Sequence, residues 1–115
     1  MEQPGPIDPA TKSAVQRFVA LVAQRYDLAG AILYGSRARG TYRPNSDADV
    51  ALLLNGAHQK MLTTALAMAD TAYDVLLDTG INITPLPVWI DEWEHPQTHS
   101  NPALLHNIAR EGIRL

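Results

Sequence analysis

The chain contains no cysteine, so neither a disulfide framework nor a thiolate metal site is available to it, and the redox compartment is left open. Charge is also scarce: 18 % of residues are charged, and only two are lysines. At a net charge of −3 the chain lacks the basic surface that a general nucleic-acid binder carries, so direct nucleic-acid binding is not expected. No apolar run reaches bilayer-spanning length. The start, Met1-Glu2-Gln3-Pro4-Gly5-Pro6, is polar and broken by proline and glycine, unlike a signal peptide. These absences predict a cytoplasmic protein without a membrane partner. Internal repeats, linkers and low-complexity segments are missing as well.

What remains is the composition of a globular protein. At 115 residues, 46 % of them hydrophobic, the chain is long enough for one real core and too short for two, which predicts a single domain over residues 1–115. The few cations are not spread evenly. Arg37, Arg39 and Arg43, three of seven arginines, fall within one short stretch. A local basic cluster on an acidic protein suits a small polyanion such as ATP, whereas solvated helix and turn residues would explain each arginine singly.

That stretch is also the most informative part of the chain. Ala31-Ile32-Leu33-Tyr34 reads as a short apolar strand running into Gly35-Ser36-Arg37-Ala38-Arg39-Gly40. A small-residue turn before a short helix can cradle phosphate, with Gly35 permitting close backbone approach and Ser36 offering its N–H and hydroxyl as the helix N-cap. After Asn45 and Ser46 come Asp47-Ala48-Asp49, opening a second strand that continues through Val50 to Leu54. Carboxylates at i and i+2 on a strand point to one face and can share a divalent metal. Magnesium takes hard oxygen ligands, one or two carboxylates plus substrate phosphates, and two acids beside a phosphate cradle meet that need. The pattern is that of nucleotidyl transfer. It marks Gly35, Ser36, Arg37, Arg39 and Ser46 as candidate nucleotide contacts, with Asp47 and Asp49 as catalytic metal ligands.

The rest of the chain predicts a small α/β sheet with helices packed on it. Asp8-Pro9 caps a first helix whose apolar face is Val15, Phe18, Val19, Val22 and Tyr26. A long helix from about Gln59 to Thr79 presents Leu62, Ala65, Leu66, Ala69, Ala72, Tyr73, Leu76 and Leu77 as its buried stripe, and Gly80 stops it. Ile81 to Ile90 reads as a third strand that Pro85 and Pro87 confine to an edge, and residues 91–100 read as loop. Asn101-Pro102 opens the last helix, with Leu104, Leu105 and Ile108 inward. His95 and His99 have metal-ligand spacing, but Pro96 argues for a surface loop. Trp89 and Trp93 read as packing for the sheet edge and last helix rather than as interface anchors.

The run from Gly35 to Asp49 resembles the signature of the polymerase-beta-like nucleotidyltransferase superfamily. The short length resembles its minimal nucleotidyltransferase branch, often the antitoxin of a bacterial toxin–antitoxin pair with a HEPN-domain toxin. The resemblance is strongest over residues 31–54 and looser elsewhere. It implies a nucleotidyltransferase-like fold, ATP and Mg2+ between Gly35-Ser36 and Asp47/Asp49, and transfer of AMP to a tyrosine hydroxyl on a HEPN toxin. A homodimer or a hetero-oligomer with the toxin would fit such a partner. The superfamily usually places a third carboxylate on the neighbouring strand. The matching segment here, Ile81-Asn82-Ile83-Thr84, has no acid, which leaves Asn82 as a candidate third ligand that cannot take a proton. A degenerate, binding-only antitoxin is the alternative reading, and modification of a small molecule such as an aminoglycoside is a third.

Overall fold

A computed structural model describes residues 7–115; the proline- and glycine-broken start lies outside the described residues. Helix α1 (Pro9–Ala23) begins where Asp8 and Pro9 predict, with the Asp8 carboxylate accepting from the Thr11 N–H and proline in the first turn. Strand β1 (Leu28–Tyr34) leads through the four-residue helix α2 (Ser36–Arg39) to β2 (Ala48–Leu54). Helix α3 (Met61–Thr79) follows and stops at Gly80, which takes a left-handed conformation. Strand β3 (Ile83–Trp89), the short helix α4 (Ile90–Glu94), helix α5 (Pro102–Glu111) and a two-residue strand β4 (Ile113–Arg114) complete the chain.

The four strands form one mixed sheet in the order β3-β2-β1-β4. β1 is antiparallel to β2 and to β4, and β3 runs parallel to β2. Parallel pairing requires a crossover, which α3 supplies. β3 is an edge strand, as its two prolines require.

Alternation sorts β2 cleanly. Ala48, Val50, Leu52 and Leu54 face a core shared with Phe18 and Val22 of α1 and with Met68 and Val75 of α3. Ala51 and Leu53 face the other way, onto Ile32, Val88 and the Leu105 and Ile108 side of α5. Both faces of the strand are therefore covered, which is why it is apolar throughout beyond Asp49.

Three expectations need correction. The segment after Trp89 is not loop: Glu92 accepts from the Trp89 N–H and caps α4, a box whose acid sits three residues after the cap. β4 was not anticipated, because two residues carry no periodicity and only pairing with β1 defines them as a strand. The third correction concerns α3. Its buried residues are Thr64, Met68, Ala72 and Val75, while Leu62, Leu66, Tyr73 and Leu77 are exposed. The helix carries two apolar stripes, and the lighter one faces inward. Small and medium side chains there let α3 lie close against the sheet and α1.

Candidate active site

The bend after β1 is built around one glycine. Gly35 has φ +76° and ψ −157°, a conformation that other residues rarely adopt. A Cβ at this position would collide with the Asp49 carboxylate, whose Cγ would lie 3.3 Å away. The Asp49 side chain thus rests directly against the backbone of the bend. Gly35, rather than Ser36, is the N-cap of α2, and its carbonyl accepts from the Ala38 and Arg39 amides, each at 3.1 Å. Ser36 is half-buried as the first helical residue. Its N–H and that of Arg37 belong to the first turn, where an α-helix offers no intrahelical acceptor.

The two acids meet on one side of the sheet. Asp47 stands one residue before β2 and is exposed; Asp49, in the strand, is half-buried. Sheet register sets Asp49 between Tyr34 on β1 and Thr84 on β3. Thr84 donates from Oγ1 to Asp47 Oδ2 at 3.2 Å. Burial, and then the charge of Asp47, push the Asp49 carboxyl above the usual carboxylate range, with Arg39 opposing them. Burial, followed by the Asp49 charge, also holds the Tyr34 phenol up at about 12. Two carboxylates compressed into partial burial form an electrostatically unfavourable pair that a bound cation would relieve.

The predicted nucleotide contacts divide into two groups. Gly35, Ser36 and Arg39 surround the acid pair, although Arg39 is exposed and reaches Glu111 of α5 at 3.4 Å. Arg37 does not belong to that group. It is 5 % exposed and turned into the protein, where its three guanidinium nitrogens donate to Ser46 O at 2.9 Å, Thr11 Oγ1 at 2.8 Å and Pro44 O at 3.2 Å. Its guanidinium also stacks over the Tyr42 ring at 4.5 Å. The planar fork of arginine suits this task, and its donors are used up before any ligand arrives. Ser46 likewise works for the loop: its hydroxyl accepts from the Arg43 N–H at 2.9 Å while its carbonyl holds Arg37.

Arg37 and Thr11 were the parts least visible in the sequence. Thr11 is fully buried; its hydroxyl donates to Asp8 Oδ1 at 2.6 Å and accepts from Arg37. A chain of bonds from Asp8 through Thr11 and Arg37 to Pro44 and Ser46 therefore ties the start of α1 to the loop that delivers Asp47. No local pattern announces a contact across 26 residues.

Asn82 also needs revision. It is exposed, and its carbonyl accepts from the Ala48 N–H at 2.9 Å, while Thr84 is the β3 side chain in contact with the acids. Among the described residues no three His, Cys, Asp or Glu side chains cluster as a metal site, so the pair would have to share a cation with substrate oxygens. His99 accepts from the Asn101 N–H at 2.9 Å, and His95 ends α4; the two form no metal site. A cleft of 220 Å³ lies at the other end of the sheet, between Asp27, Leu54, Asn55 and Trp89. Five strand residues, roughly 17 Å, separate it from Asp49.

The sequence profile of the nucleotidyltransferase domain matches residues 15–97, from α1 through both acids to the turn after α4. The chain belongs to the nucleotidyltransferase domain family. In fold, this nucleotidyltransferase domain is similar to a crystal structure of a candidate nucleotidyltransferase from Sulfolobus solfataricus. The TM-score is 0.54 at 19 % identity, with 96 % of this chain and 88 % of the other covered. None of the curated proteins matches the chain. Among the described residues no helix is long and apolar enough to cross a membrane.

Proposed function

We propose that this nucleotidyltransferase domain transfers AMP from ATP to a tyrosine hydroxyl of a partner HEPN-domain toxin, and so acts as its antitoxin. The observation that supports the chemistry is the contact of the Asp49 carboxylate with the Gly35 bend, which sets acid and phosphate cradle side by side. Asp47 and Asp49 are hard oxygen donors of the kind magnesium takes, and they would hold Mg2+ together with the triphosphate. When bound, that ion would neutralise the phosphates and stabilise charge on the attacking and leaving oxygens. The Ser36 amide and hydroxyl hold phosphate oxygen against the bend, and Arg39, free to leave Glu111, adds positive charge. In the reaction an acceptor oxygen bonds to the α-phosphorus and pyrophosphate departs. The partner role rests on the resemblance to minimal nucleotidyltransferases and on the acceptor having to bring its own surface.

The test is incubation with labelled ATP, MgCl2 and the product of the neighbouring gene. Label on that protein is the expected outcome, absent with Asp47→Asn or Asp49→Asn. Full labelling by the double variant would remove the two acids from the mechanism. One feature favours a second reading, in which the domain silences its toxin by binding alone: the position facing the acids on β3 is Thr84, not a carboxylate. A stable complex with no label on either protein supports that reading.

A further inference from the structure

The outward stripe of α3 is the largest apolar feature the fold leaves uncovered. Leu62 is 69 % exposed, Leu66 60 %, Tyr73 57 % and Leu77 67 %. At about 100° per residue these four lie within roughly 60° of one another, on the side of α3 turned away from Thr64, Met68, Ala72 and Val75. Scattered exposed leucines need no explanation, but four large side chains in line along one helix mark a contact surface.

The spacing of the stripe says what covers it. Leu62 to Leu66 is four residues, Leu66 to Tyr73 seven, and Tyr73 to Leu77 four. The series is its own reverse, with its midpoint between Ala69 and Asp70. A two-fold contact needs a self-complementary patch, in which residue i meets j and j meets i. We propose that α3 pairs with α3 of a second copy, antiparallel, so that Leu62 packs on Leu77 and Leu66 on Tyr73 twice over. Ala69 at the crossing allows the helices to approach closely. The four side chains expose about 500 Å² per copy before any rim is counted, so the pair reaches the ~1,000 Å² of a specific interface. This inference is independent of the chemistry proposed for the acids.

Charge adds a signature. Exposed Asp70 and Asp74 flank one edge of the stripe, whereas Asp78 is neutralised by Arg17. A two-fold axis across the helix brings both Asp70 side chains to the same side of the dimer. Their repulsion opposes association, so the dimer tightens as salt rises. A foreign helix with basic flanks would show the opposite salt dependence.

Sedimentation velocity of the purified chain from about 1 to about 200 μM tests this, since an interface near the lower size limit holds at micromolar strength. A concentration-dependent dimer is expected. Leu66→Glu should raise its dissociation constant at least about tenfold, and Asp70→Asn should lower it. Because the chain has no cysteine, a mixture of Leu62→Cys and Leu77→Cys variants gives a second reading under oxidation. Disulfides between the two variants are expected in excess over those within each. A monomer across the whole range, a dimer indifferent to Leu66→Glu, weakening by Asp70→Asn, or preferential 62–62 crosslinks would each overturn the proposal.

Discussion

Asp49 is the residue on which the site turns. Its carboxyl is raised by burial and by Asp47, so the folded protein binds its proton more tightly than the unfolded chain does. Stability from this group therefore falls as pH rises from the unfolded value of 3.8 through the raised folded value, and the penalty is complete at neutral pH. Asp49→Asn should accordingly raise the thermal midpoint of the ligand-free protein at pH 7, with the gain shrinking as the buffer is taken down through the carboxylate range. A lower midpoint at pH 7 would mean that the pair is not strained.

Asp8 behaves in the opposite sense. Partial burial acts to raise its pKa, but hydrogen bonds from the Thr11 side chain and backbone outweigh it, and the net direction is down. Its contribution is present above the unfolded value of 3.8 and is lost as pH falls through the depressed one. Asp8→Ala should cost about 1 kcal/mol at neutral pH, and the gap to the parent protein should narrow in acid. Arg37, one bond further along the same network, is a positioning residue for the loop before Asp47. Arg37→Ala leaves buried acceptors unpaired and should destabilise by about 3 kcal/mol in urea unfolding. Lysine should not rescue it, having no fork to span Thr11, Pro44 and Ser46.

At the scale of elements, the acids are held by register. Pairing of β2 with β1 sets Asp49 opposite Tyr34, and pairing with β3 sets it opposite Thr84. A one-residue slip on either side would turn the acids to the other face, so the site depends on the same packing that covers Ala51 and Leu53. Thr84→Asp places a third carboxylate at the position the superfamily uses. It should tighten Mg2+ binding measured by calorimetry and raise any labelling rate, and unchanged or weaker binding would show that the β3 position does not reach the site. Much of this element layout was legible beforehand. The Asp8-Pro9 and Asn101-Pro102 caps, Gly80 and the two prolines of β3 act through local backbone geometry, which a sequence displays directly. Helix α4 was missed although its capping acid, Glu92, was in view, because Pro96 and two histidines drew the reading towards loop.

At the scale of the whole molecule, α3 decides how the domain meets others. Leu66→Glu should leave the urea midpoint within about 0.5 kcal/mol of the parent, as surface changes do, whereas Met68→Ala should cost 2–5 kcal/mol or so by opening the core. The reverse result would mean that the helix is rotated.

The sequence alone determined the elements, the caps, the bend at Gly35 and the one-sided pair of acids, because each follows from periodicity or from the conformational limits of single residues. Only the tertiary structure decided which apolar stripe of α3 faces inward, that Thr84 rather than Asn82 touches the acids, and that Arg37 is a buried brace rather than a ligand contact. Those outcomes depend on which surfaces come together across dozens of residues, and side-chain chemistry read one position at a time carries no record of the neighbour.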